Sequence, residues 1–587
     1  MSDTQAVNAD VDKNDINPCR LPFPRWIAGP LESLLGLSKL AAIYDGRPRN
    51  VSADGFLDYV LKAIGIHLDE DASEPFKSAL PATGSVLVVA NHPLGGADGV
   101  ALAKMLLAAR SDVKVLTNEL LTRIPELAEL FIGVDVLSAG AASKNVAGLR
   151  AASAHLKQGG VLLMFPSGVV SAIDKDLNRI ADPKWNRLAG AFARKYATHC
   201  LPVFVKGRNS DLFYKMGLIH PRLRTVMLPR ELANKADTSL TFVVGKALAS
   251  AQYKKLDNDE AITSYLRLQV ESMGFEHTAV DTSSFDMPEF PVAEQAWIAA
   301  ISDYKLLDKS GFSVYCVPSS KMGELMEYTG RLREITFSAV GEGTGKDIDV
   351  DQFDPYYSHL FVWDDANNCI AGGYRVGHID TIVAEQGVEG LYSHSLFEFD
   401  ESYLQKLGGA IEVGRSFVSL AYQRNPAILD LLWRGLGKYV VLNPQYHTLL
   451  GAVSISRFYS DQSRALIAST LVQSFGAEEA FKLGISPREK APDVKQFWDP
   501  ELLKSVTDVG LLNQLVQSTE KGMGLPVLMR HYLSLNGRYV CFSENKSFSD
   551  ALDGMLLVDL RQTPIKYLKR YLGKAEGPEF LKQWGVE

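Results

Sequence analysis

The sequence predicts an α/β protein of two domains, an alternating α/β domain followed by a second domain of different, α+β pattern. Three observations predict it. Up to about residue 280, short apolar runs such as Val86–Ala90 and Val161–Phe165 alternate with helix-compatible stretches, the pattern of a sheet with crossover helices. The segment Asp281–Glu294, DTSSFDMPEFPVAE, is rich in Ser, Pro and acids and reads as a linker. Beyond it the chain changes character, with strand-like runs and two helical stretches, Glu324–Phe337 and Ala427–Val441. Residues 1–50 are read as a tail with an amphipathic helix, 51–285 as the first domain and 286–587 as the second.

The length of 587 residues suits about two to four domains. Hydrophobic residues make up 46% and charged residues 22%, ordinary values for a soluble chain. The net charge of −8, from 61 basic and 69 acidic residues, argues against general nucleic-acid binding. Five scattered cysteines, Cys19, Cys200, Cys316, Cys369 and Cys541, show no metal-type spacing and predict a reduced, cytosolic chain without a metal. The acidic N-terminus has no signal-peptide pattern, and no run of about 18 apolar residues predicts a bilayer-spanning helix.

Taken in order, residues 1 to about 20 read as disordered. Phe23–Tyr44 has apolar residues at helical spacing, with Pro30 suited to a first turn. A helix lying in a membrane plane and a helix packed on a core both fit it. Gly55–Ile66 predicts a second helix. Val86–Ala90 is a buried strand ending in Asn91-His92-Pro93, followed by Gly95-Gly96 and Asp98. Helices are expected over Val100–Ala109, Leu120–Leu130, Val146–Gln158 and Ala189–Tyr196. Strands are expected over Val113–Thr117, Phe131–Val136, Val161–Phe165 and Leu201–Val205. In the second half, strands are expected at Val314–Val317, Ser358–Val362, Ile370–Val376, Ala410–Val413 and Leu449–Val453, with helices at Glu324–Phe337 and Ala427–Val441.

The end of the Val86–Ala90 strand is where an open α/β sheet places its chemistry. A hydroxyl or amine that attacks an acyl thioester must lose a proton, and imidazole is the side chain best matched to take it near neutral pH. A carboxylate on the other ring nitrogen fixes the tautomer and steadies the imidazolium. His92 and Asp98 supply those two groups. A strand-end His and a helix-capping Asp are the bland alternative.

Four ordered blocks decide between them. NHPLGGADG, RIPELAELFIGVDVL, LKQGGVLLMFPSGVVSA and LPVFVKGRNSDLF with LRTVMLPREL resemble the glycerolipid acyltransferases, nearest the hemolysin-like lysophospholipid acyltransferases. The resemblance covers about residues 70 to 280. It implies His92 as general base, Asp98 as its partner, and Phe165, Pro166, Ser167 and Gly168 as substrate-binding residues, although Phe165–Gly168 also fits a plain strand-end turn. Arg208 reads as a cation for an acidic acceptor or carrier group, or as one half of a surface ion pair. The family's first block usually leaves four residues between His and Asp, and here there are five. The extra residue falls at Gly95-Gly96, where a loop can absorb it. Ser167 and Val169 stand beside Gly168, where the family commonly carries a Glu, which fits an acceptor other than glycerol phosphate.

The second half carries R-x-x-x-F, then DQFD, GGYR and E-x-G-R, followed by a helix rich in Leu and Trp. This order is similar to the ornithine N-acyltransferase and acyl-homoserine-lactone-synthase branch of the GNAT fold, over about residues 295 to 575. The resemblance implies Arg333, Phe337, Asp351, Asp354, Arg375 and Arg415 as substrate-binding residues and Glu412 as the base. The chemistry is coherent, because a zwitterionic amino acid needs a cation for its carboxylate and anions for its ammonium. The same Arg, Asp and Glu residues also fit a structural ion-pair cluster. GNAT proteins hold a pyrophosphate on a glycine-containing loop at a helix N-terminus. Here Gln423-Arg424-Asn425-Pro426-Ala427 has no glycine, and Pro426 lacks an N–H. An acyl group on acyl carrier protein asks less of such a loop than acyl-coenzyme A does.

Together the halves resemble the bifunctional ornithine-lipid synthases. That resemblance implies a GNAT-like N-acyltransferase half that acylates the amino acid with a 3-hydroxyacyl group, and an N-terminal half that esterifies the 3-hydroxyl. It implies acyl carrier protein, membrane lipids and an amino acid as partners, no cofactor beyond the acyl donor, and a peripheral place on the cytoplasmic face of the inner membrane. The alternative is a lysophospholipid O-acyltransferase with a degenerate GNAT-like accessory domain.

Overall fold

Five successive apolar residues of Val86–Ala90 (β1) are all buried, which only a central strand covered on both faces permits. The computed structural model describes residues 17–21, 23–135, 145–275, 293–400, 403–404, 407–478, 484–520 and 522–586. Residues 1–16 of the tail expected to be disordered to about residue 20, Val136, and residues 281–292 of the expected linker lie outside them; the end of that tail is ordered, with the buried Asn17 amide donating to the Ala41 carbonyl at 2.9 Å. The chain divides into two units, residues 1–275 and 276–587.

In the first unit, β1 is joined by β2 (Val113–Asn118), β3 (Phe131–Val134), β4 (Val161–Met164), β5 (His199–Lys206), β6 (Thr241–Val244) and β7 (Leu248–Ala249). The sheet order is β6-β5-β1-β4-β2-β3, with β7 also on β5. β1 pairs in parallel with β4 and β5, so its carboxyl end lies mid-sheet. Helices α1 (Arg25–Leu34), α2 (Leu37–Asp45) and α3 (Ala53–Ile64) precede the sheet. Those that follow are α4 (Gly96–Ala109), α5 (Val146–Lys157), α6 (Leu188–Lys195), α7 (Asp211–Ile219), α8 (Pro221–Ala233) and α9 (Asp259–Ser272). The core gathers Phe56, Phe76, Val88, Leu102, Leu163 and Leu201.

Three expectations are corrected. The single helix of residues 23–44 is two, because Gly36 adopts φ 72° with its α-carbon face against Arg230, where a Cβ would lie 2.9 Å from Cα. Pro30 sits inside α1 rather than in its first turn, and the carbonyl it leaves without a donor belongs to Trp26, a residue 78% exposed. Leu120–Leu130 is not a helix. Pro125 divides it into 3₁₀ turns over Glu119–Arg123 and Pro125–Leu127.

The second unit is built on an eight-stranded sheet of β8 (Lys305–Lys309), β9 (Phe312–Pro318), β10 (Ser358–Asp364), β11 (Cys369–His378), β12 (Ala410–Val418), β13 (Thr448–Ile455), β14 (Arg538–Asn545) and β15 (Ala551–Asp559). Their order is β8-β9-β10-β11-β12-β13-β15-β14. Every neighbouring pair is antiparallel except β12 and β13, which are parallel. That one pair is short: Ala410↔Thr448, Ile411↔Leu449 and Glu412↔Leu450, where the ladder ends. α10 (Glu324–Ser338) packs near β12, and α11 (Pro426–Leu442) crosses β9 to β11. The expected strand at Ala410–Val413 runs on to Val418 through a bulge. The β11–β12 register shifts beyond Gly373, and Arg415 takes φ 50°.

Candidate active sites

At the end of β1 the chain is fixed before any catalytic group is placed. The Asn91 amide mimics one more ladder rung, donating to the Val205 carbonyl at 3.0 Å and accepting from its N–H at 2.7 Å. Gly95, at φ 81°, then turns the chain into α4, which puts Asp98 in the helix's first turn. The fifth intervening residue is absorbed there. His92 Nδ1 lies 3.0 Å from Asp98 Oδ1. Asp98 is fully buried, and its Oδ2 accepts the Leu94 N–H at 2.9 Å. The imidazole lies against the Phe165 ring with centroids 4.2 Å apart. Burial pushes the His92 pKa down, and the Asp98 carboxylate, with Asp182 behind it, more than reverses this, leaving it above the usual value. With Nδ1 turned to Asp98, Nε2 is the nitrogen left to take a proton from a substrate.

Sequence reasoning missed Asp182. Its Oδ1 accepts the His92 backbone N–H at 3.1 Å and the Ser171 hydroxyl at 2.5 Å, and its Oδ2 accepts the Trp185 indole N–H at 3.0 Å. The Ser171 N–H in turn donates to the His92 carbonyl at 2.9 Å. Both backbone groups of His92 are therefore held by one segment. No motif marked it, because the hairpin Ala172–Asp174 and Arg179–Ala181 between its two contact points is short and polar.

The other expected residues fall around this point. The Phe165-Pro166-Ser167-Gly168 turn closes by a Gly168 N–H bond to the Phe165 carbonyl at 3.0 Å, with Gly168 at φ 68°. Ser167 Oγ donates to the Val169 carbonyl. Arg208 is exposed and paired with Asp211. Its neighbour Asn209 reaches back to the Pro93 carbonyl at 3.1 Å.

In the second unit the expected charged residues do meet. Arg333 spans Asp349 at 2.9 Å and both oxygens of Asp354 at 2.9 and 3.2 Å. Arg375 lies 2.6 Å from Asp351 and 3.3 Å from Asp354. Arg415 reaches Asp349 and Asp351, each at 3.0 Å. Three guanidiniums thus face three carboxylates, Asp349 being the member the motif had not marked. Burial pushes the Asp354 carboxyl up, and Arg375 and Arg333 reverse that and hold it far below the carboxylate range. His359 beside them is driven down to about 4 by burial and stays neutral. Arg375 Nη2 is buried with no hydrogen-bond partner among the described residues, in a small cavity lined also by Arg333, His359, Tyr374 and Arg415. Phe337 stands apart from the charges, edge-on to Phe417 and Phe548.

Glu412 is buried at the last rung of the β12–β13 pairing. It accepts the Tyr357 hydroxyl, the Tyr392 N–H at 3.2 Å and the Ser393 N–H at 2.6 Å. A carboxylate has about four acceptor positions, so one remains for an amine or a water. Two further buried acids, Glu342 and Asp553, lie near this cluster. Burial pushes Glu342 up to about 7 and Asp553 up to about 6. Among the described residues, no group of three or more His, Cys, Asp or Glu is placed to hold a metal ion.

With these two constellations in place, comparison with known proteins becomes informative. A family model described as an acyltransferase matches residues 49–254, and one described as an acetyltransferase (GNAT) domain matches residues 332–434. The chain belongs to the acyltransferases. A glycine N(alpha)-acyltransferase of Phocaeicola vulgatus is 31% identical over 313 residues, which is 50% of this acyltransferase and 95% of the relative. The corresponding enzyme of Bacteroides thetaiotaomicron is 29% identical over 315 residues, or 50% and 92%. A lyso-glycine lipid O-acyltransferase of Phocaeicola vulgatus is 26% identical over 240 residues, or 40% and 82%. One acyltransferase chain thus has separate relatives that form amides and relatives that form esters.

Proposed function

We propose that this acyltransferase builds a di-acylated aminolipid in two steps, the GNAT unit forming the amide and the N-terminal unit the ester. The observation that carries the reading is the His92–Asp98 pair at a strand end of the acyltransferase domain, in one chain with a GNAT domain. In the first step the α-amine loses a proton to Glu412, directly or through water, and attacks a 3-hydroxyacyl thioester. The amide bond forms, the C–S bond breaks, and the thiol leaves with a proton. The β12–β13 ladder ends at Glu412 and Leu450, and strand backbone without a ladder partner can pair with the amides of an extended acyl-pantetheine chain. In this reading Arg375 Nη2 holds the substrate carboxylate, which its lack of a hydrogen-bond partner among the described residues supports. In the second step His92 Nε2 takes the proton of the 3-hydroxyl as its oxygen attacks a second thioester; the ester C–O bond forms, the C–S bond breaks, and the imidazolium, steadied by Asp98, gives its proton to the leaving thiolate.

The acyl donor in the first step is acyl carrier protein. Of the backbone donors where a GNAT pyrophosphate would sit, Pro426 has none, the Ala427 N–H is taken by Asn425 Oδ1 at 3.1 Å, and the Ile428 N–H by the Asn425 carbonyl at 3.2 Å. The amino acid is ornithine, whose second ammonium gives Glu342 and Asp553 a partner. The names of the relatives favour glycine as the competing reading. No described helix is long and apolar enough to cross a membrane, and we place the enzyme peripherally on the cytoplasmic face of the inner membrane.

The test is expression in a bacterium that makes no aminolipid, followed by lipid mass spectrometry. The expected result is a new phosphorus-free lipid with ornithine and two acyl chains, and His92→Ala should accumulate its mono-acylated form. A glycine head group would correct the substrate. Altered phospholipid chains with no new aminolipid would overturn the reading.

A further inference from the structure

The α7–α8 hairpin has two faces with opposite character. Its inner face belongs to the His92 site. Phe213, Tyr214 and Met227 are buried, and Leu228 and Leu232 are the side chains that a Cβ on Gly95 or Gly96 would meet, at 3.0 and 3.2 Å. The helix α8 is therefore the wall behind the loop that carries Asp98. The outer face and the tip are apolar and open. Leu218 is 50% exposed, Ile219 72%, Leu223 36% and Val226 49%. From Leu218 to Leu223 every residue is exposed, and no described residue covers them.

The tip is built to stand out rather than to fold back. His220 is extended and its Nδ1 caps α8 by accepting the Arg222 N–H at 3.1 Å, while Pro221 fills the first helical position. The hairpin's charge is basic where the chain's is acidic. Residues 211–233 hold Lys215, Arg222, Arg224 and Arg230 against Asp211 and Glu231. Both acids are engaged, Asp211 with Arg208 and Glu231 with Ser210, whose hydroxyl donates to it at 2.6 Å. On a chain of net charge −8 this is a local positive field beside aliphatic side chains. Aliphatic residues at the depth of acyl chains, with cations at the level of phosphates, are what an anionic bilayer surface binds.

We propose that the α7–α8 tip docks on a bilayer containing anionic lipid, inserting Leu218, Ile219, Leu223 and Val226 and bringing the loop from His92 to Asp98 to the membrane interface. The proposal rests on the lipid-acceptor reading and adds where the lipid enters: across the hairpin, without leaving the bilayer. The turn between α1 and α2 meets the other end of α8, where a Cβ on Gly36 would lie 2.9 Å from Arg230 Cα, and Leu34, two residues before it, is 65% exposed.

The experiment is flotation of the full chain with vesicles of equal parts phosphatidylcholine and phosphatidylglycerol, alongside vesicles of phosphatidylcholine alone. Wild type should float with the anionic vesicles, and the double variant Ile219→Glu, Val226→Glu should bind them ~tenfold less or worse. Lys215→Gln with Arg222→Gln should lose the preference for anionic vesicles and keep the weaker binding to neutral ones. The glutamate variant should still esterify a short-chain, water-soluble 3-hydroxyacyl amino acid at the wild-type rate. A glutamate variant that floats like wild type overturns the docking surface. So does a wild-type dimer that the variant dissolves while its flotation is unchanged, since the tip would then belong to a second copy. If wild type esterifies no soluble acceptor, the lipid-acceptor reading fails, and flotation still decides the surface on its own.

Discussion

Asp98→Asn is a sharp test of the first site, because the aspartate does two jobs with two oxygens. Oδ2 accepts the Leu94 N–H at 2.9 Å and Oδ1 faces His92 Nδ1 at 3.0 Å. Asparagine has one acceptor and one donor to offer. If its oxygen stays on Leu94, its NH₂ faces Nδ1, the ring proton moves to Nε2, and the base is silenced. If its oxygen turns to Nδ1, its NH₂ opposes the Leu94 N–H, and a buried donor without a partner costs about 1–3 kcal/mol. That difference favours the silent arrangement by ~5- to 150-fold. Loss of the charge that steadies the imidazolium adds to it, for a total fall of ~10²–10⁴ in the rate of ester formation. The pH profile moves as well. Neutral His92 is the active form, so the rate rises with pH through its raised pKa, and without the Asp98 charge that rise shifts to lower pH even as the plateau falls. The assay is single-turnover esterification of a synthetic mono-acylated aminolipid by the purified chain across the neutral range. An Asp98→Asn enzyme with a wild-type plateau and an unmoved acid limb would refute the reasoning.

Three other outcomes are expected. Glu412→Gln should cut amide formation by ~10²–10⁴ while added mono-acylated lipid restores the di-acylated product, as lipid mass spectrometry will read; failure of that rescue would mean the two units are not independent. Burial raises the Glu342 carboxyl from 4.5 to about 7, so wild type should lose stability as pH rises through that window, by ~3 kcal/mol at ~1.4 kcal/mol per unit. Glu342→Gln should therefore melt higher than wild type at alkaline pH, with the gap closing toward acid, in calorimetry at both ends. Gly451→Ala would drive a Cβ into the Val413 carbonyl oxygen just past the last β12–β13 pair, costing about 1–3 kcal/mol and lowering amide formation more than ester formation.

The sequence made β1 and its His92 end legible because a wholly apolar run followed by polar and glycine residues has one reading in an alternating chain. The α/β and GNAT architectures followed from ordered blocks, and family matches agree with both. Elements whose signal lay in tertiary context were less accessible. The tail helix looked continuous because its apolar spacing is, and only the packing of Gly36 on Arg230 breaks it. Asp182 is 90 residues from the backbone N–H it holds, and a carboxylate in a polar hairpin gives no periodic or spacing signal. The charged motif residues of the second unit were visible as types. That their charges cancel pairwise was not, since Asp349 stands outside the motif.

That cancellation has a consequence for how such a chain can diverge. Arg333, Arg375 and Arg415 each share carboxylates with one another. Removing one partner leaves a buried charge uncompensated, at about 3–5 kcal/mol, a large fraction of a typical domain's stability. Replacing a matched pair costs far less. Drift at any one of these positions is therefore blocked until a second mutation at a charge partner, from 16 to 66 residues away in the chain, arrives with it. The six residues change as a unit or not at all, whereas buried acids outside the cluster, such as Glu342 and Asp553, can be exchanged singly.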